Sequence, residues 1–150
     1  MANYNFGEDL KLGNKGEEFV ANFLQTKGCE YIDSNKDNKY DIKMITKNVE
    51  TTYEIKTDVF VAPIYDTGNI FIEYESRGKA SGISVTQADW FVTYFKYLKE
   101  IWFIKSEILK TLIQNNNFEI FYDAGDIGSA THGYLIKRKD FKKYFHVCKI

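Results

Sequence analysis

The residues whose types and spacing best suit chemistry are Asp41 and, thirteen positions later, the run Glu54-Ile55-Lys56. On an extended strand, Glu54 and Lys56 point to one face with Cα atoms about 6–7 Å apart, while Ile55 points to the other. An adjacent strand can bring Asp41 beside Glu54. Two carboxylates so placed repel unless a divalent cation neutralises them. Mg²⁺ is commonly held by one or two carboxylates, with its other positions left to water and phosphate oxygens. A cation there lowers the pKa of a bound water and offsets charge developing on phosphorus. The Lys56 ammonium can orient or help deprotonate that water, or neutralise the same charge. These are the requirements of phosphodiester hydrolysis. The competing reading of the same residues is a pair of solvated charges on an exposed strand, since Glu-x-Lys after an Asp arises often by chance.

The elements that must position these groups can be read from the surrounding pattern. Tyr40 to Ile45 alternates like a strand, Lys47-Asn48 marks a turn, and Thr51 to Thr57 is rich in β-branched residues, which together predict a hairpin. Ahead of it, Asn14 to Lys27 predicts a helix, with Asn14 as cap, Val20, Phe23 and Leu24 as an apolar stripe, and Gly28 as the stop. Glu17 lies three and seven residues before Val20 and Leu24 and shares the buried side, whereas Glu18 aligns with Asn22 and Gln25. Glu17 is therefore the acid expected to join the site; its alternative role is to complete a capping box with Asn14.

Tyr31 to Lys39 reads as a loop, and Asn69 to Tyr74 as a third strand, whose Glu73 either approaches the site or is a surface charge. Asp58 reads as a turn residue. Arg77 to Gly82 reads as a flexible loop in which Arg77, Lys79 and Ser81 could contact phosphate or merely connect. Thr86 to Asp89 resembles the capped start of a helix carrying Trp90, Phe91, Tyr94 and Leu98. Ile101 to Ile104 predicts a strand, and Ser106 to Ile113 a helix capped by Ser106 and broken at Asn115-Asn116-Asn117. Phe118 to Tyr122 and Gly133 to Ile136 predict strands around a small-residue loop that includes Gly128 to His132. Asp140 to Phe145 predicts a last helical turn. The expected architecture is a single α/β domain over 1–150, with a central mixed sheet flanked by helices.

Composition narrows the partners. The 150 residues are 44% hydrophobic and 27% charged, as a globular domain should be, and 20 Lys+Arg against 21 Asp+Glu leave a net charge of −1. Bulk basicity therefore does not attract nucleic acid, and a polyanion would need a local patch. Lys137, Arg138, Lys139, Lys142 and Lys143 form the strongest run, with a solvated face as the bland alternative. The aromatic residues read first as core. Cys29 and Cys148 fit no zinc spacing, which points to buried thiols in a reducing, cytoplasmic compartment, and no apolar run approaches the length of a membrane helix. Gly-rich phosphate loops, HExxH, GxSxG and CxxC are absent, and with only His132 and His146 a histidine triad has little material.

Tyr40-Asp41, Glu54-Ile55-Lys56 and the helical Glu17 resemble the motif of the PD-(D/E)xK nuclease superfamily, the restriction-endonuclease-like fold. The wider order over residues 13–58 is similar to Holliday-junction resolvases and to small phage or intron-encoded homing endonucleases. Tyr40 stands where the superfamily has Pro, a position that shapes the turn and binds no metal. The resemblance implies a Mg²⁺-dependent endonuclease, with Mn²⁺ able to substitute, in which Asp41, Glu54 and the Ile55 carbonyl hold the ion. It implies further that Lys56 assists the attacking water, Glu17 is an auxiliary acid, and cleavage leaves 5′-phosphate and 3′-hydroxyl ends. The expected partner is double-stranded or branched DNA. Cutting two strands with one site per subunit implies a homodimer or higher homo-oligomer, and a phage or mobile-element source fits. A non-catalytic DNA-binding or assembly module retaining the fold is the second reading. A small-molecule enzyme is a third, without a cofactor signature.

Overall fold

A computed structural model of the chain describes residues 15–35, 39–124 and 130–150. The expected cap Asn14 and residues 128–129 of the small-residue loop lie outside these. Helix α1 (Lys15–Thr26) buries Gly16, Val20, Ala21 and Leu24 along one stripe. It ends in a Schellman motif: the Cys29 N–H donates to the Leu24 carbonyl, the Gly28 N–H donates to that of Gln25, and Gly28 takes a φ of +94°.

The central sheet has six strands in the order β1 (Glu30–Asp33), β2 (Ile42–Thr46), β3 (Val49–Asp58), β6 (Trp90–Phe95), β7 (Glu100–Lys105) and β10 (His146–Lys149). The β3–β6 pair is parallel and the rest are antiparallel, so the sheet is mixed. The predicted hairpin is β2–β3, closed between Thr46 and Val49 by Lys47 and Asn48, both at positive φ (50° and 65°), as a two-residue type I′ turn requires.

A second, antiparallel sheet has the order β5 (Lys79–Ala80), β4 (Asn69–Ser76), β9 (Thr131–Lys137), β8 (Glu119–Ala124). Helix α2 (Ser106–Asn115) follows β7, and a short helix α3 (Arg138–Phe141) follows β9.

Strand alternation divides the core in two. Tyr53, Ile55, Val92, Tyr94, Ile101 and Phe103 pack with Val20, Ala21 and Leu24 of α1 on one side. Phe91, Phe95, Trp102 and Ile104 pack on the other with Ile70, Ile72 and Ile136 of the second sheet and Leu109 and Leu112 of α2. Apolar side chains therefore cover both faces of β6 and β7, and strands of that kind read as continuous apolar runs.

Several expectations are corrected. The helix expected from Thr86 onward is strand β6: Trp90, Tyr94 and Leu98 have helical spacing, but the run Trp90-Phe91-Val92-Thr93-Tyr94-Phe95 is buried between β3 and β7. Asp89, the last residue of that expected capped start, instead accepts from the backbone N–H and hydroxyl of Thr52, at 2.9 and 3.1 Å. Residues 30–33, read as part of the Tyr31–Lys39 loop and its lead-in, pair with β2 as an edge strand. The loop expected at Arg77–Gly82 is mostly a tight turn: Arg77 and Gly78 sit at φ 54° and 74° between paired Ser76 and Lys79. Thr131 and His132, placed in the small-residue loop by sequence, begin β9. Ser106 opens α2 without a side-chain cap, the N-cap position being Lys105. The third strand extends to Ser76 and belongs to the second sheet. Cys29 and Cys148 are unpaired and only half-buried against the α1-side core. No helix among the described residues is long and apolar enough to cross a membrane.

Candidate active site

The site begins where β2 begins. Ile42 is opposite Tyr53 in the β2–β3 register, and the Asp41 N–H donates to the Tyr53 carbonyl at 2.8 Å, which sets Asp41 just beyond the strand, beside Glu54. Its carboxylate turns back and accepts from the Ile55 N–H at 2.6 Å. A strand residue's N–H and C=O point to the same edge, so the Ile55 carbonyl is also directed at the edge that Asp41 occupies.

Alternation sends Tyr53 and Ile55 (2% exposed) to the α1 side, and Glu54 and Lys56 to the side facing the second sheet. Glu54 is only 8% exposed, so it is not a solvated strand charge. Its two oxygens are engaged by different elements: the Lys56 ammonium lies 3.5 Å from Oε2, and the Thr86 hydroxyl donates to Oε1 at 3.2 Å. The Ala88 N–H in turn donates to Thr86 Oγ1 at 3.1 Å, and the Gln87 N–H donates to the Lys39 carbonyl at 2.8 Å. The second bond ties segment 86–88 to the approach to Asp41.

Lys56 Nζ also lies 3.9 Å from a carboxylate oxygen of Glu73 on β4. Gly82 presses on that residue's backbone: a Cβ there would stand 2.2 Å from the Glu73 carbonyl oxygen, at a φ of +53° that already disfavours a side chain. Tyr40 donates its hydroxyl to Asp33 Oδ1 at 2.7 Å and so ties β1 to the entry of β2.

The electrostatics show a surplus of acid. Burial, then Asp41 and Glu54, push Glu17 up to about 7 against the opposing pull of Lys56. Burial and then Asp41 likewise hold Glu54 at about 7, despite Lys56 and the Thr86 hydroxyl. Burial raises Asp41 against the Ile55 amide and Lys56. For Lys56, burial works to lower the pKa, but Glu73, Glu54 and Asp41 together outweigh it and the net shift is upward.

The structure therefore brings Glu17, Asp41, Glu54, the Ile55 backbone and Lys56 together and adds Glu73 and Thr86. By sequence alone Glu73 suits either the site or the surface, and Thr86 suits a helix start. The signal for Thr86 was its place before an apolar β run; for Glu73 it was only strand alternation, which cannot tell which sheet a strand joins.

These oxygen donors fit a hard cation. Among the described residues no three His, Cys, Asp or Glu side chains are grouped as a metal site. That is compatible with Mg²⁺, which needs only one or two carboxylates and otherwise takes water and backbone or substrate oxygens. Thr93, level with Lys56 in the β3–β6 register, contributes a buried hydroxyl with no hydrogen-bond partner among the described residues. A cleft of about 500 Å³, lined in part by Thr86, Gln87, Asp89, Trp90, Lys105 and Lys110, adjoins the cluster through Thr86.

The expected DNA-contacting residues divide into two groups. Arg77 and Lys79 are exposed at the β4–β5 turn, while Ser81 is half-buried with an unpartnered hydroxyl among the described residues. Lys137, Lys139, Lys142 and Lys143 are exposed at the opposite end of β4, where Lys137 pairs with Asn69, roughly 23 Å away at 3.3 Å per residue. Arg138 does not join that surface. It is 9% exposed, forms a hydrogen-bonded ion pair with Asp66, and places its guanidinium 5.0 Å from the Phe95 ring centroid. Comparison with family models, curated proteins and solved structures finds no match to this chain.

Proposed function

We propose that the chain is a divalent-metal-dependent endodeoxyribonuclease of the PD-(D/E)xK kind. The observation that carries this reading is the convergence of Glu17, Asp41, Glu54 and Lys56 at the start of β2, with acids outnumbering the single ammonium. Asp41, Glu54 and the Ile55 carbonyl would hold the ion, with Glu17 as the auxiliary acid. Mg²⁺, or Mn²⁺ in its place, supplies a water of lowered pKa and positive charge opposite the phosphate.

The remaining work falls to the chain's own groups. Thr86 fixes the orientation of Glu54, and the Ile55 amide fixes that of Asp41. Glu54 and Glu73 hold the Lys56 ammonium from two sides, where it can orient the attacking water or neutralise charge on a non-bridging phosphate oxygen. Arg77 and Lys79 at one end of β4, and Lys137, Lys139, Lys142 and Lys143 at the other, supply phosphate contacts for double-stranded or branched DNA. Cutting both strands requires two such sites, hence a homodimer or higher homo-oligomer.

Cleavage of plasmid and of a four-way junction tests the proposal, using wild type, Lys56→Ala and Asp41→Ala with Mg²⁺ and with chelator. Wild type should cut only with metal, and each variant should lose about 10²-fold or more. Equal cleavage by all three proteins overturns the site. The second reading, a binding module, is supported by the engagement of both Glu54 oxygens within the chain. It expects salt-sensitive DNA binding with no metal requirement.

A further inference from the structure

The chain leaving β3 forms an ordered apolar tip. Asp58 Oδ1 accepts from the N–H groups of Phe60 and Val61 at 2.9 and 3.0 Å, closing a turn at the strand end. Val61 is buried in the core on the second-sheet side, and Ala62 and Tyr65 exchange backbone hydrogen bonds of 3.1 and 2.9 Å around Pro63 and Ile64. Asp66 then ties the loop's far end to Arg138. The backbone is thus fixed at both ends and in the middle, while Phe60, Ile64 and Tyr65 are 74, 98 and 70% exposed. Large apolar side chains held outward on a fixed loop mark a contact surface.

Charge decides between possible occupants. Lys137 and Lys139 flank Arg138, which anchors the loop through Asp66 and whose N–H donates to the Gly68 carbonyl at 2.9 Å. On the other side Lys96, exposed, donates its N–H to the Asp58 carbonyl at 3.1 Å. Of the acids bounding the loop, Asp66 is neutralised by Arg138, while Asp58 accepts only backbone N–H groups and keeps its charge, so the three lysines outnumber it. The tip is apolar with a collar of lysines, and pairing it with a second copy of itself would set two such collars against each other. Apolar wedges flanked by phosphate-binding cations are what a protein needs to part stacked bases.

We propose that Phe60, Ile64 and Tyr65 insert against the bases of a DNA duplex, partly unstacking a step, while Lys96, Lys137 and Lys139 contact the flanking phosphates. This inference rests on the nuclease reading for its choice of partner. Phe60 follows Lys56 by four residues, at most about 14 Å of extended chain, so the disturbed step would lie within about four nucleotides of the scissile phosphate at 3.4 Å per nucleotide.

The test is done in chelator, so that it is independent of cleavage, with a short random duplex carrying several 2-aminopurines. Wild type should raise the probe's fluorescence on binding. The triple variant Phe60→Ser, Ile64→Ser, Tyr65→Ser should bind about tenfold or more weakly and give no rise. Because these positions are exposed and Val61 is retained, thermal melting should confirm an intact fold. Binding and fluorescence equal to wild type overturn the inference, as does a variant that changes only sedimentation from dimer to monomer, which would assign the tip to a second copy. Failure of the nuclease reading appears separately, as absence of metal-dependent cleavage by wild type.

Discussion

Two clusters of partly buried charge, both drawing on segments near β3, differ in their balance. At Asp66 and Arg138, one carboxylate meets one guanidinium; the hydrogen bond from Arg138 holds Asp66 below its usual value, and the pair is balanced. At the start of β2, Glu17, Asp41, Glu54 and Glu73 share a single ammonium, and Glu17 and Glu54 are held near 7. A balanced pair helps hold the fold and asks for nothing further. An unbalanced cluster costs stability at neutral pH unless something of opposite charge arrives, and groups perturbed in that way gather at functional sites.

The largest effect should come from breaking the balanced pair. Arg138→Ala leaves Asp66 without its partner and empties space beside Phe95. Because the Asp66 side chain is 31% exposed, the loss should be about 2–3 kcal/mol, below that of a fully buried pair. Thermal melting should drop by roughly 8 °C, with Mn²⁺ affinity unchanged. A large change in that affinity would mean the two clusters are not independent.

The second effect is a difference in pH response. Glu17 and Glu54 bind protons more tightly folded (about 7) than at their ordinary value of 4.5. Their contribution to stability is therefore complete below about pH 4.5 and is lost as pH rises through about 7. The metal-free protein should melt several degrees lower at pH 8 than at pH 5, and Mn²⁺ should restore the loss at pH 8. Glu54→Gln should flatten the profile. Asp66 has the opposite sign: its contribution is present above the ordinary carboxylate range and disappears as pH falls through its lowered value. Differential scanning calorimetry across pH separates the two.

Smaller effects come from the supports. Gly82→Ala, driving a Cβ against the Glu73 carbonyl, should cost about 1–3 kcal/mol in denaturant unfolding. Thr86→Val, removing one hydrogen bond to Glu54, should cost about 1 kcal/mol.

Legibility of the sequence followed the range of the interactions involved. The β2–β3 hairpin and α1 were readable because alternation, the Lys47-Asn48 turn and the Gly28 stop are local signals, and they place Glu17, Asp41, Glu54 and Lys56 together. Strand β6 was not readable, because Trp90, Tyr94 and Leu98 repeat at helical spacing and Thr86 to Asp89 imitates a cap. Only the pairing of β6 between β3 and β7 shows why Phe91 and Val92 must face opposite cores. β1 and β10 are four-residue edge strands with little apolar pattern. The reach of Glu73 to Lys56 depends on how one sheet packs on another, and the removal of Arg138 from the basic run depends on Asp66, 72 positions away.

Calorimetric titration with Mn²⁺ at pH 8 tests the central claim most directly. Wild type should bind the ion saturably, and Asp41→Ala and Glu54→Gln should each weaken binding by tenfold or more. An absence of binding by wild type, or undiminished binding by both variants, would contradict a cation site at the start of β2.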